Sequence, residues 1–80
     1  MHYCYVLKSE ATGQLFTGQT QHLATRVHEH NSGKAQATRN GAPWLLVYRE
    51  DFPSREQAAE RKKHFKTTQG GKELQNLLNR

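Results

Sequence analysis

The chain has a single cysteine, Cys4, and one thiol closes no intramolecular disulfide. Small secreted domains commonly rely on such staples, so the expectation is a reducing compartment and a cytoplasmic protein. No window approaches the ~18 consecutive apolar residues of a membrane span. Met1-His2-Tyr3-Cys4 lacks the charged-then-apolar layout of a secretory leader, so a soluble chain with no membrane partner is expected. There is no internal repeat, linker or low-complexity segment, and residues 1–80 read as one domain. A chain this short buries only about 60–65% of the surface its unfolded form exposes, so its core must be thin.

Acidic residues are also scarce. Seven Asp/Glu face twelve Lys/Arg, for a net charge of +5, and five histidines add to it below neutral pH. A basic surface is the electrostatic footprint of a phosphate-backbone binder. Many small proteins are basic for solubility alone, so charge by itself leaves both readings open.

The elements follow from residue type and spacing. Tyr3-Cys4-Tyr5-Val6-Leu7 is aromatic and β-branched, as a strand should be. Ala11-Thr12-Gly13-Gln14 turns the chain, and Leu15-Phe16-Thr17 returns as a second strand closing at Gly18. Leu23, Ala24, Val27 and His30 recur at helical spacing, which predicts a helix from Gln21 to Asn31 with a stop near Gly33. Lys34 to Ala42 carries no apolar period and reads as a mobile basic loop. The unbroken run Pro43-Trp44-Leu45-Leu46-Val47-Tyr48 suits a central strand covered on both sides. Ser54 with Gln57 has capping-box spacing and opens a helix running to about Lys66. Gln69-Gly70-Gly71 then separates it from a last helix carrying Leu74, Leu77 and Leu78, which read as core rather than as a docking face. The expected fold is α/β (α+β), a small three-stranded antiparallel sheet flanked by helices in the order β-β-α-β-α-α.

The hairpin and the segments after it form a larger pattern. Tyr3-Cys4-Tyr5 is followed by Phe16-Thr17-Gly18, Leu23-x-x-Arg26-x-x-x-His30, Asn31-Ser32-Gly33-Lys34, Leu46-Val47-Tyr48, and an Ala58-containing helix ending in Phe65-Lys66. In composition, order and spacing this resembles the GIY-YIG nucleases, in particular their small stand-alone bacterial members. The resemblance implies metal-dependent cleavage of nucleic-acid phosphodiesters, with Mg or Mn as the divalent cofactor and DNA in preference to RNA as partner. It implies that Tyr5 helps activate the attacking water, that Arg26 stabilises charge on the phosphate, and that His30 assists beside it. Arginine presents a planar fork matching two phosphate oxygens. Arg26 and His30 are i and i+4 on one helix, so both can face one cleft. A tyrosine loses its proton near pH 10, so it needs a nearby cation before it acts as a base.

Two departures weaken the implied activity. Phe16 stands where relatives usually carry a second tyrosine. Relatives also carry a metal-binding glutamate on the second helix, four residues after a small residue and four before a lysine; here that position is Lys62. A protonated lysine cannot ligate a hard cation. Glu60 lies about 160° around the helix from Lys62 and replaces the ligand only if the helix register shifts. The alternative to a nuclease is therefore a catalytically inactive nucleic-acid-binding module of the same fold. Lys34, Arg39, Lys62, Lys63 and Lys66 would be its backbone contacts, with Arg61 in the same stripe and Trp44 or Tyr48 available to stack on a base. Each residue also has a plainer reading: Tyr5 as a sheet aromatic, Arg26 and His30 as a solvated helix face, Cys4 and Trp44 as core. His28-x-His30 is no zinc site, because i and i+2 diverge on a helix.

Overall fold

The computed structural model describes residues 1–79. Within them run β1 (His2–Ser9), β2 (Leu15–Thr20), α1 (Leu23–Ser32), a 3₁₀ helix (Gln36–Gly41), β3 (Trp44–Phe52), α2 (Arg55–Phe65) and α3 (Thr68–Leu78). The strands are antiparallel in the order β2-β1-β3. The fold is α+β, with elements in the expected β-β-α-β-α-α order. Among the described residues no helix is long and apolar enough to cross a membrane.

β1, not β3, is the central strand. Cys4 to Leu7 are all buried, and their alternation feeds two cores. Cys4 and Val6 meet Phe65 and Leu74 beneath α2 and α3. Tyr5 and Leu7 meet Trp44, Phe16, Leu23 and Val27 beneath α1. The apolar run expected to make β3 central lies on an edge, and Leu45, Leu46 and Val47 are 38–50% exposed. A bulge explains part of this. Val6 pairs with Tyr48 while Leu7 pairs with Leu46, so Val47 is left unmatched.

Three local expectations are corrected. The segment Lys34 to Ala42 is not loop throughout, because its middle winds into the 3₁₀ helix. That helix buries Thr38 and Gly41 and takes the Trp44 indole N–H on the Thr38 carbonyl at 2.8 Å. Gly70 and Gly71 lie inside α3 instead of separating two helices. A Cβ on Gly70 would stand 1.7 Å from the His64 carbonyl oxygen, so glycine there lets α3 leave α2 at close range. Thr67 caps this helix by accepting the Gly70 N–H at 2.9 Å. Finally, the first helix starts at Leu23, two residues later than expected. Ser54 does cap α2, accepting the Gln57 N–H at 3.2 Å.

Candidate active site

Tyr5 sits in the buried middle of β1, paired across the sheet with Gly18 on the edge strand β2. A Cβ at position 18 would lie 2.5 Å from both Cζ and Oη of Tyr5. Only glycine therefore lets the phenol ring lie across β2. This is the physical reason for the glycine that closes Phe16-Thr17-Gly18.

Across β2 the phenol meets α1. Tyr5 Oη is 2.8 Å from His30 Nε2, and His30 Nδ1 is 2.7 Å from Thr38 Oγ1. The Thr38 hydroxyl has its own acceptor in the Ala35 carbonyl at 3.3 Å. That arrangement leaves the Thr38 oxygen to receive Nδ1–H, and leaves Nε2 to accept the Tyr5 proton donor. Burial pushes the His30 pKa down and the Arg26 charge adds to this, against the Glu29 carboxylate. Burial pushes the Tyr5 pKa up, opposed by the charge and hydrogen bond of Arg26. The result is a neutral phenol on a neutral imidazole on a hydroxyl, each satisfied inside the protein. Phe16 closes the remaining side, its ring centroid 4.8 Å from that of His30. No hydroxyl stands there.

Tyr5 is 1% exposed and His30 is 0% exposed. Arg26 is the member of the trio that solvent reaches, with a side chain 41% exposed. Its Nη1 is held 3.0 Å from Glu29 Oε1, one turn along α1. The structure thus brings Tyr5, Arg26 and His30 together as an open guanidinium resting on a sealed polar chain. Thr38 completes the chain and was not singled out from the sequence. Ala35, Thr38 and Gly41 are buried at 3₁₀ spacing in the structure, but they are too small or polar to mark an apolar period in the sequence.

The basic residues do not form one cluster around this trio. Lys34 follows the left-handed Gly33 that ends α1, and Arg39 sits exposed on the 3₁₀ helix. Lys62 and Lys63 lie on α2 and Lys66 is its C-cap; the helix packs on the opposite, Cys4 face of the sheet. There they line an open groove of about 310 Å³ with Gln19 and Ala59. Arg61 does not belong to that stripe: it binds Glu50 at 3.1 Å and Glu73 at 2.8 Å, and covers the Phe65 ring at 4.3 Å. Tyr48 donates to Glu50 and is not a free stacking surface, and Trp44 is buried. Glu60 opens onto a different groove, with Phe52, Glu56, Gln57, Arg61 and His64. The Cys4 thiol, pushed up to about 11 chiefly by burial, is a core group.

These donors do not fit a divalent metal. The Tyr5 phenol is protonated and already used, Glu29 is tied to Arg26, and the groove on the other face offers ammonium groups. Among the described residues no three His, Cys, Asp or Glu side chains are close enough to share an ion. Mg²⁺ is held by one or two carboxylates beside its waters, and the groove beside Lys62 presents none.

Residues 1–75 match the family described as the GIY-YIG catalytic domain. A UPF0213 protein of Bacillus pumilus is 45% identical over 67 residues, covering 82% of this chain and 67% of that protein. A UPF0213 protein of Clostridium perfringens is 37% identical over 76 residues, covering 94% and 81%. The solution NMR structure of a UPF0213 protein from Bacillus halodurans superposes with a TM-score of 0.58 at 34% identity, over 95% of this chain and 83% of that one.

Proposed function

The chain belongs to the GIY-YIG family, and on that premise we propose that it is a nucleic-acid-processing domain that has kept phosphodiester binding and lost most metal-assisted hydrolysis. The observation that carries this reading is the contrast between its two sides. Arg26 offers a part-exposed fork on a rigid support, while α2 offers Lys62 where the family resemblance implies a carboxylate. Divalent metals generally serve the family's hydrolysis by polarising the phosphate and activating water. Here the residues present supply charge and hydrogen bonds only.

In this reading a phosphodiester takes the place of Glu29 on the Arg26 guanidinium, because a phosphate matches the fork as well and is free of the helix. The Tyr5–His30–Thr38 chain holds that seat in shape. With its pKa raised, Tyr5 stays protonated at neutral pH and acts as a positioning hydroxyl beneath Arg26, not as a base. The partner is DNA in preference to RNA, and the compartment is cytoplasmic, where the lone thiol stays reduced.

The test uses end-labelled DNA and RNA oligonucleotides with the full chain, read for binding and for cutting. Binding should weaken steeply with salt, with a log–log slope of about −0.9 per phosphate neutralised on duplex DNA. The wild type should cut little if at all with Mg²⁺ or Mn²⁺, and Lys62→Glu should bind less well. No binding at low salt would overturn the nucleic-acid reading. Efficient metal-dependent cutting by the wild type would restore the nuclease reading.

A further inference from the structure

The helix α2 sorts its charges by face. Arg55, Lys62, Lys63 and Lys66 stand at i, i+7, i+8 and i+11, within about 100° of one another around the axis. Glu56 and Glu60 lie outside that arc and open onto the groove shared with Arg61 and His64. None of the four cations is in an ion pair among the described residues. Two adjoining grooves run along this stripe, of about 280 Å³ and 310 Å³; Arg55 lines the first, and Lys62, Lys63 and Lys66 the second. Gln19 of β2 lines both, and its Oε1 is buried with no hydrogen-bond partner.

A buried acceptor left open calls for a donor. In the groove lined by Lys62, Lys63 and Lys66 the donors facing Gln19 are ammonium groups, and one that turns in to its Oε1 keeps its remaining N–H groups for an anion. From Arg55 to Lys66 the stripe rises about 16 Å, the length of roughly five nucleotides of one strand at 3.4 Å each. One phosphate would need one cation; a stripe this long matches a run of them.

Resting on the nucleic-acid reading above, we propose that Arg55, Gln19, Lys62, Lys63 and Lys66 form a metal-free track for consecutive backbone phosphates. It lies on the opposite side of β2 from Arg26. The track supplies through fixed ammonium and guanidinium groups the positive charge that a divalent ion cannot bring to this donor set.

The experiment measures the affinity of the full chain for a duplex DNA oligonucleotide across salt, in EDTA and in Mg²⁺ at matched ionic strength. Lys62→Gln/Lys66→Gln should flatten the log–log salt slope by about two, and Arg55→Gln by about one. Lys8→Gln/Lys72→Gln, which removes the same charge elsewhere, should leave the slope within half a unit. EDTA should not weaken binding, and the Gln19 side-chain amide should shift in the NMR spectrum as oligonucleotide is added. Binding lost in EDTA, or equal losses from the two double variants, would overturn the track and leave the nucleic-acid reading standing. No binding under any condition would overturn both.

Discussion

Replacing Gly18 with alanine tests how tightly the sheet holds Tyr5. The new methyl would stand 2.5 Å from Tyr5 Cζ and Oη and 2.9 Å from Cε1. Those atoms cannot retreat freely, since the ring is buried between Phe16 and His30. Overpacking of this kind costs about 1–3 kcal/mol. A displaced phenol also leaves His30 Nε2 buried without a partner, which costs about 1–3 kcal/mol. With partial relief the expected total is about 2–4 kcal/mol, out of roughly 4–12 kcal/mol for a domain of this size. In a thermal melt that lowers the midpoint by about 10–25 °C. Gly13→Ala is the comparison. Gly13 has a positive φ of 79° but nothing within 4 Å, so its cost is backbone strain alone, about 1 kcal/mol. The ¹⁵N shifts of the His30 ring should change in Gly18→Ala and hold in Gly13→Ala. A Gly18→Ala protein within 0.5 kcal/mol of wild type (~0.5 being the scatter of neutral surface changes) with an unchanged His30 ring would refute the reasoning.

Three further outcomes are expected. Glu29→Gln frees Arg26 from an i,i+3 pair worth about 0.2–0.5 kcal/mol, so DNA should bind about two-fold tighter in titrations, while Glu10→Gln on an exposed turn leaves affinity unchanged; equal effects from both would mean general charge alone. His30 has a folded pKa below its unfolded value, so its contribution is complete above the ordinary histidine value near 6.5 and is lost as pH falls through the lowered one. Urea melts from pH 7.5 downward should show that loss in the wild type and a shallower decline in His30→Gln; parallel declines would exclude His30 as the source. Gly70→Ala, despite gaining about 1 kcal/mol in helix propensity, should destabilise by about 2 kcal/mol or more because its methyl meets the His64 carbonyl; a neutral or stabilising result would show that α3 can shift away.

The sequence carried the element order because apolar periodicity and two cap signals marked most elements. The apolar run at Leu45–Val47 misled on strand order, since a run of this kind says a strand is apolar and not which neighbours it has. The 3₁₀ helix stayed hidden because its buried stripe is Ala35, Thr38 and Gly41, none of them large and apolar. Gly70 read as a helix breaker because the close approach that requires it comes from His64, on a different helix. Within the site, Tyr5, Arg26 and His30 were singled out by the family resemblance, and the fold brings them together. Their unequal burial was not legible, because exposure depends on how Phe16 and Thr38 close around them. Arg61 looked like a surface cation for the same reason: its partners Glu50 and Glu73 lie eleven and twelve residues away.

The central claim is that Arg26 seats a phosphodiester on the Tyr5–His30 support, and Arg26→Ala tests it most directly. Affinity for duplex DNA should be measured between about 50 and 200 mM salt alongside a thermal melt of the same samples. The account predicts at least a ten-fold loss at low salt, a slope flatter by about one, and a midpoint within about 8 °C of wild type, since the losses are an exposed ion pair and one contact to Tyr5, whose hydroxyl keeps its bond to His30. Unchanged affinity and slope would contradict the claim, and so would a variant that unfolds, because Arg26 would then be holding the fold and not the phosphate.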